Sequence, residues 1–167
     1  CLDAAGDVWV VNWSEMGTSK LIHLSASGDV LKTFDMTFPE RSRHGYSESR
    51  IVAGDDGRIW YADESLDTGL EVFDPKRGEW LPHDPARPHD VRFSLMKRND
   101  GSIWTSGLEK LVRFSGQEET TYSLNTRFEL PSVRYRLYED RQHRLWMIGR
   151  IGYVYSVDLG TEQWATY

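Results

Sequence analysis

Apolar residues along this chain fall in short runs, most of them alternating with polar residues. Each run is closed by a polar stretch, usually one that carries glycine. Alternation over a few residues is the pattern of a half-buried β-strand, whose side chains point to opposite faces in turn. One unit recurs, a tight polar turn followed by an apolar residue and tryptophan. It occurs as Gly6-Asp7-Val8-Trp9, Gly57-Arg58-Ile59-Trp60, Gly101-Ser102-Ile103-Trp104 and His143-Arg144-Leu145-Trp146. The four tryptophans lie 51, 44 and 42 residues apart, close to the period of about 40–50 residues typical of propeller blades.

Other positions keep phase with these tryptophans. Nine residues before the last three stand Ile51, Leu95 and Leu137, in runs that read as innermost strands. After each Trp comes a further run, Lys20 to Leu24, Leu70 to Phe73, Leu111 to Phe114 and Tyr153 to Val157. A polar glycine turn follows, and then an aromatic residue in a last strand: Phe34, Trp80, Tyr122 and Trp164. A unit of four strands cannot bury both of its faces alone, so neighbouring units must stack. Radial stacking of four-stranded antiparallel sheets is the propeller arrangement. The prediction is an all-β β-propeller segment of four consecutive blades, at about residues 1–39, 40–84, 85–126 and 127–167. The recurring tryptophans are expected in the cores between blades. Counting back from Trp9, Cys1 falls where Val52, Met96 and Tyr138 fall in later units. The first inner strand is therefore expected to be cut, as in a segment of a larger propeller of six to eight blades.

Composition narrows the function classes. Of 167 residues, 39% are hydrophobic and 28% charged, so the chain is neither disordered nor membranous by composition. No run approaches the roughly 20 apolar residues of a membrane-spanning helix. The net charge of −6 repels phosphate backbones, so nucleic acid is not an expected partner. Arg41, Arg43, Arg134, Arg136, Arg141, Arg144 and Arg150 read as solvated strand edges and loops. The single cysteine, Cys1, can form no internal disulfide and no multi-cysteine zinc site. Its position also fits the lipidated cysteine of a bacterial lipoprotein, although the repeat phase makes it a strand residue.

The run Leu137-Tyr138-Glu139-Asp140-Arg141-Gln142-His143-Arg144-Leu145-Trp146-Met147-Ile148-Gly149 resembles the two-component-regulator propeller repeat, with His143 in the place of that repeat's glycine. The run from Val52 to Trp60 resembles it as well. The resemblance implies the extracytoplasmic sensor part of a bacterial signalling protein, in the periplasm or outside the cell, with a small polar or carbohydrate-like ligand. The chain also resembles the streptogramin (virginiamycin B) lyase superfamily of propellers. Ala86-Arg87-Pro88-His89-Asp90-Val91 and Arg43-His44-Gly45 are similar to the motif that opens that family's blades. His89 and His44 lie 15 and 16 residues before their tryptophans, a longer gap than in that family.

In a propeller, the loops leading into inner strands and those joining second and third strands gather on one face, and function concentrates on such loops. The ligand-binding candidates there are Trp13, Glu15, Arg43, His44, Asp63, Glu64, Asp67, His89, Asp90, Arg134 and Arg150. In a binding site the arginines would fork onto carboxylates or hydroxyls, the acids would accept hydroxyl protons, and Trp13 would stack on a ring. No cofactor is expected of such a site. The lyase resemblance implies instead His44 and His89 as general acid or base, with Mg²⁺ held by carboxylates. Asp63, Glu64 and Asp67 are weak metal candidates, lacking the regular spacing of a calcium loop. A third reading is a scaffold for protein interaction. Asp55-Asp56-Gly57 reads as a hairpin turn on the opposite face. The expected partners are a small-molecule or carbohydrate ligand and the remaining blades of a larger propeller.

Overall fold

The computed structural model describes residues 1–12, 19–36, 49–63, 69–81, 94–107, 109–116, 118–124, 135–149, 152–158, 161 and 163–167. The described residues form strands and turns, with no helix among them. The first sheet contains β1 (Val8–Asn12), β2 (Lys20–Leu24) and β3 (Val30–Asp35). The second contains β4 (Ser49–Ala53), β5 (Ile59–Asp63), β6 (Leu70–Asp74) and β7 (Glu79–Trp80). The third contains β8 (Ser94–Lys97), β9 (Ile103–Ser106), β10 (Lys110–Ser115) and β11 (Glu118–Ser123). The fourth contains β12 (Tyr135–Glu139), β13 (Leu145–Gly149), β14 (Val154–Asp158) and β15 (Gln163–Thr166). Every neighbouring pair is antiparallel and consecutive in sequence, so each sheet is an up-and-down blade.

The registers repeat from blade to blade. Trp60 stands opposite Val52, Trp104 opposite Met96 and Trp146 opposite Tyr138. Cys1 takes the same place in blade 1: its carbonyl accepts the Trp9 N–H and its amino group donates to the Trp9 carbonyl, each at 2.8 Å. Leu2 bridges Val8 next to it. The stub of an innermost strand is thus present where the repeat phase puts it. Trp9, Trp60, Trp104 and Trp146 all lie on second strands, and Phe34, Trp80, Tyr122 and Trp164 on outermost ones.

The side chains show that the stack has a direction. Trp9 packs with Leu21 of its own blade and with Ala53, Ile59, Tyr61 and Phe73 of blade 2. Trp60 meets Leu95, Ile103, Val112 and Phe114 of blade 3. Trp104 meets Tyr135, Leu137, Leu145, Met147 and Tyr155 of blade 4. Each tryptophan therefore projects from the forward face of its blade into the rear face of the next. Trp146 departs from the expected core position and is only half-buried. Among the described residues, no further blade lies against its forward face. Tyr138, Ile148 and Tyr167 are exposed around it.

The hairpins joining first and second strands need left-handed backbone. Gly57 supplies it in the Asp55-Asp56-Gly57 turn, at φ 82°. In blade 4 His143 holds that conformation at φ 61°, a region that costs a residue with a Cβ about 1–2 kcal/mol. His143 thus stands structurally, as well as in sequence, where the repeat has glycine.

Candidate functional site

Two rims of the blade stack carry polar groups. The loop rim is formed by the ends of the second strands and the starts of the first and third. Asn12, Asp63, Ser94, Ser106, Tyr135 and Gly149 stand there. Of the predicted site residues, Asp63 is described. Trp13, Glu15, Arg43, His44, Glu64, Asp67, His89, Asp90, Arg134 and Arg150 lie outside the described residues.

Asp63 ends β5 with its side chain fully buried. Tyr61, two residues earlier on the same face, donates its hydroxyl to Asp63 Oδ2 at 2.6 Å. A buried carboxylate is costly to desolvate and persists only where such bonds hold it. Glu71 stands across from Tyr61 on β6 and is also buried. Two acids and a phenol thus share the rear face of blade 2 near the loop rim. Sequence reasoning missed Glu71. Its signal was an acid at an inward position of the apolar run Leu70-Glu71-Val72-Phe73, in phase with buried Phe73.

Farther along the same rim, Ser106 Oγ donates to the Tyr135 carbonyl at 2.8 Å, and Ser94 Oγ accepts the Leu137 N–H at 3.1 Å. These bonds stitch blade 3 to blade 4. Burial raises the Tyr135 phenol well above its ordinary value, and its bond to Tyr155 acts in the same direction. Tyr153 stacks on Tyr155 at 6.2 Å. The buried Tyr135 phenol stays protonated at neutral pH and serves as a hydrogen-bonding group.

The turn rim, on the opposite side, carries carboxylates bonded to indoles. Trp9 Nε1 donates to Asp3 Oδ2 at 2.9 Å, and Trp146 Nε1 donates to Asp140 Oδ2 at 2.8 Å. Trp104 Nε1 reaches Asp100 through Ser102 Oγ, at 2.8 Å and then 2.5 Å. A basic side chain lies near each ring: His23 stacks on Trp9 at 4.1 Å, Arg98 and Arg113 lie 6.0 Å from Trp104, and Arg144 lies 5.2 Å from Trp146. Between blades 3 and 4, Arg98 donates to Glu139 at 2.8 Å and Asn99 N–H to the same carboxylate at 2.9 Å. Burial pushes the Glu139 carboxyl up, but bonds from Asn99, His143 and Arg98 outweigh it and hold the group below its ordinary value. Asp140 is held low in the same way by Trp146 and Arg144. These groups build the fold. Glu139 and Asp140, the acidic pair of the repeat, thus have structural work here.

Among the described residues, one set of three ligating side chains is close enough to hold an ion, and it lies on the turn rim. Asp3, Asp7 and His23 present ligand atoms within 4.8 Å of one another.

No family model and no curated protein matches the sequence. Solved structures do match the fold. Virginiamycin B lyase from Staphylococcus aureus aligns with 98% of this chain at a TM-score of 0.64 and 11% identity. A streptogramin B lyase aligns with 98% at 0.66 and 15% identity. The extracellular domain of the hybrid two component system BT4673 from B. thetaiotaomicron aligns with 99% at 0.64 and 9% identity. The chain spans 55% and 54% of the two lyase chains and 25% of the BT4673 domain. The chain is a run of propeller blades, and both propeller types that the sequence resembles share its fold. The fold by itself fixes no activity.

Proposed function

We propose that this chain is part of an extracytoplasmic bacterial sensor propeller that binds a small polar or carbohydrate-like ligand on its loop rim. The observation that carries the reading is the likeness, over 99% of the chain, to the extracellular domain of a two component system. The run from Leu137 to Gly149, which resembles the two-component-regulator repeat, supports it. In this reading the remaining blades complete the ring. Trp13, Glu15, Arg43, His44, Glu64, Asp67, His89, Asp90, Arg134 and Arg150 supply the ligand contacts, together with Asp63, which Tyr61 holds in place. The blades interlock through their cores, so ligand identity is set by loops and not by strands.

The likeness to two streptogramin lyases favours a second reading, an elimination enzyme in which His44 and His89 move protons beside a carboxylate-held Mg²⁺. One pair of experiments separates the two. Calorimetry against a panel of oligosaccharides and sugar acids should find a ligand. His44→Ala and His89→Ala should each weaken it by about 0.5–1.5 kcal/mol, the worth of one hydrogen bond. Ring-opening of a streptogramin should be absent. EDTA-sensitive turnover that disappears in either histidine variant would replace the sensor reading with the lyase one.

A further inference from the structure

The turn rim repeats the same position in each blade. In blade 4 the residue two before the tryptophan is Arg144, whose Nε donates to Asp140 Oδ2 at 2.7 Å. Blade 2 also has an arginine there, Arg58. Blade 1 has Asp7. The acid equivalent to Asp140 is Asp3, and it therefore faces a second carboxylate where blade 4 supplies a permanent cation. The group directed between the two acids is His23 Nε2, 3.7 Å from Asp3 Oδ2 and 3.3 Å from Asp7 Oδ2. That nitrogen is shielded from solvent, and no hydrogen bond reaches it.

All three side chains are held in place by bonds that leave these atoms aimed at one another. Asp3 Oδ1 accepts the Ala5 and Asp7 N–H groups at 2.9 and 3.0 Å. Asp7 Oδ1 accepts the Ala26 N–H at 3.2 Å. The His23 ring lies on Trp9 with only 8° between the planes. Outer bonds of this kind orient metal ligands. A tetrahedral ion with bonds of about 2.0–2.2 Å sets its ligand atoms about 3.3–3.6 Å apart. The two nitrogen–oxygen separations bracket that range.

We propose that Asp3, Asp7 and His23 form a site for one divalent transition-metal ion of the zinc type, which closes the turn rim of blade 1. One imidazole nitrogen and two carboxylate oxygens suit such an ion, with water in the fourth position. The ion offsets the two carboxylate charges, as Arg144 offsets Asp140 in blade 4. Trp9 Nε1 remains an outer partner of Asp3 Oδ2. The role is structural, because the site ties the first hairpin to β2 on the rim away from the loops.

The test is calorimetric titration of the whole chain with Zn²⁺, in a Cys1→Ser background so that the thiol is not a ligand. One ion per chain is expected, together with a rise in Tm. Mg²⁺, which demands six oxygen-rich ligands, should give neither. Co²⁺ in place of Zn²⁺ should show the visible absorption of four-coordinate cobalt. Asp7→Arg recreates the pair of blade 4, so it should fold with an undiminished Tm in the absence of metal and lose the ion. His23→Gln should lose it too. Folded protein that takes up no Zn²⁺ would overturn the proposal. So would uptake that persists in folded Asp7→Arg.

Discussion

At the residue scale, the turn rim shows how charge is made permanent in a β fold. Arg98 and Glu139 have side chains only 6% and 9% exposed and bridge two blades. Glu139→Gln leaves the buried guanidinium with only the more distant Asp100 at 3.8 Å, and breaking a buried pair costs up to about 3–5 kcal/mol. A urea melt of the variant checks this. The same carboxylates set the acid limit of the fold. Asp3, Asp100, Glu139 and Asp140 all titrate lower in the folded chain than their ordinary values of 3.8 for Asp and 4.5 for Glu. Their contribution is complete above those ordinary values and is lost as pH falls through the lower folded ones. Stability should therefore be flat near neutrality and fall below about pH 4.5. Glu139→Gln should remove part of that slope. A series of urea melts from pH 7 to the acid limit would show otherwise if the slope were unchanged in the variant. None of this was legible in the sequence, where Glu139 and Asp140 read only as part of a repeat motif. Their partners, Arg98 to Glu139 above all, are 41 residues apart.

At the scale of the strand and blade, the sequence was informative because the repeat is carried by spacing. Trp60, Trp104 and Trp146 each face the residue eight positions earlier, and the same count placed Cys1 opposite Trp9. What spacing could not convey was which face each aromatic takes. Phe34 and Tyr122 pair with Leu21 and Leu111 on forward faces, while Trp80 and Trp164 pair with Phe73 and Val157 on rear faces. A strand of two to six residues admits either parity, and the bulge beside Leu24 shows how one inserted residue shifts it. The consequence for stability is graded. Trp104 is fully buried between blades 3 and 4, and its replacement by Ala should cost about 3–5 kcal/mol. Trp146→Ala should cost clearly less, since its outer side is open. Equal losses in denaturant melts of the two variants would mean that the forward face of blade 4 is covered.

At the scale of the whole molecule, the two ends of the stack expose apolar side chains. Leu2 and Val10 are exposed on the rear face of blade 1, and Tyr138, Ile148 and Tyr167 on the forward face of blade 4. Apolar faces of this kind promote association. The 167-residue chain should therefore sediment as concentration-dependent oligomers, and Val10→Lys with Ile148→Lys should return it to monomer. A wild-type chain that stays monomeric at all concentrations would show that these faces satisfy each other or are covered. The candidate ligand site is the part that sequence and structure leave furthest apart. Asp63 was read as a loop acid and is instead a buried strand end bonded to Tyr61. The other candidates sit in segments whose residue types suggest chemistry while carrying no periodicity to place them.

The parity of the outer aromatics also affects motion. Phe34 and Trp80 both enter the contact between blades 1 and 2, and Tyr122 and Trp164 both enter that between blades 3 and 4. Among the described residues, the core between blades 2 and 3 holds no aromatic from an outermost strand, and its ring contact is Trp60 with Phe114 at 4.9 Å. Among the described residues, that seam is fastened by side chains of the first three strands and carries no outer-strand aromatic. It should open like a fan, with the innermost strands as pivot and the two blade pairs as leaves. Spin labels at Glu79 and Glu119, across the bare seam, should give a broader distance distribution than labels at Thr120 and Gln163, across the fastened one. A ligand gripping the loops of both pairs would then be felt as an angle at the circumference, far from where it binds.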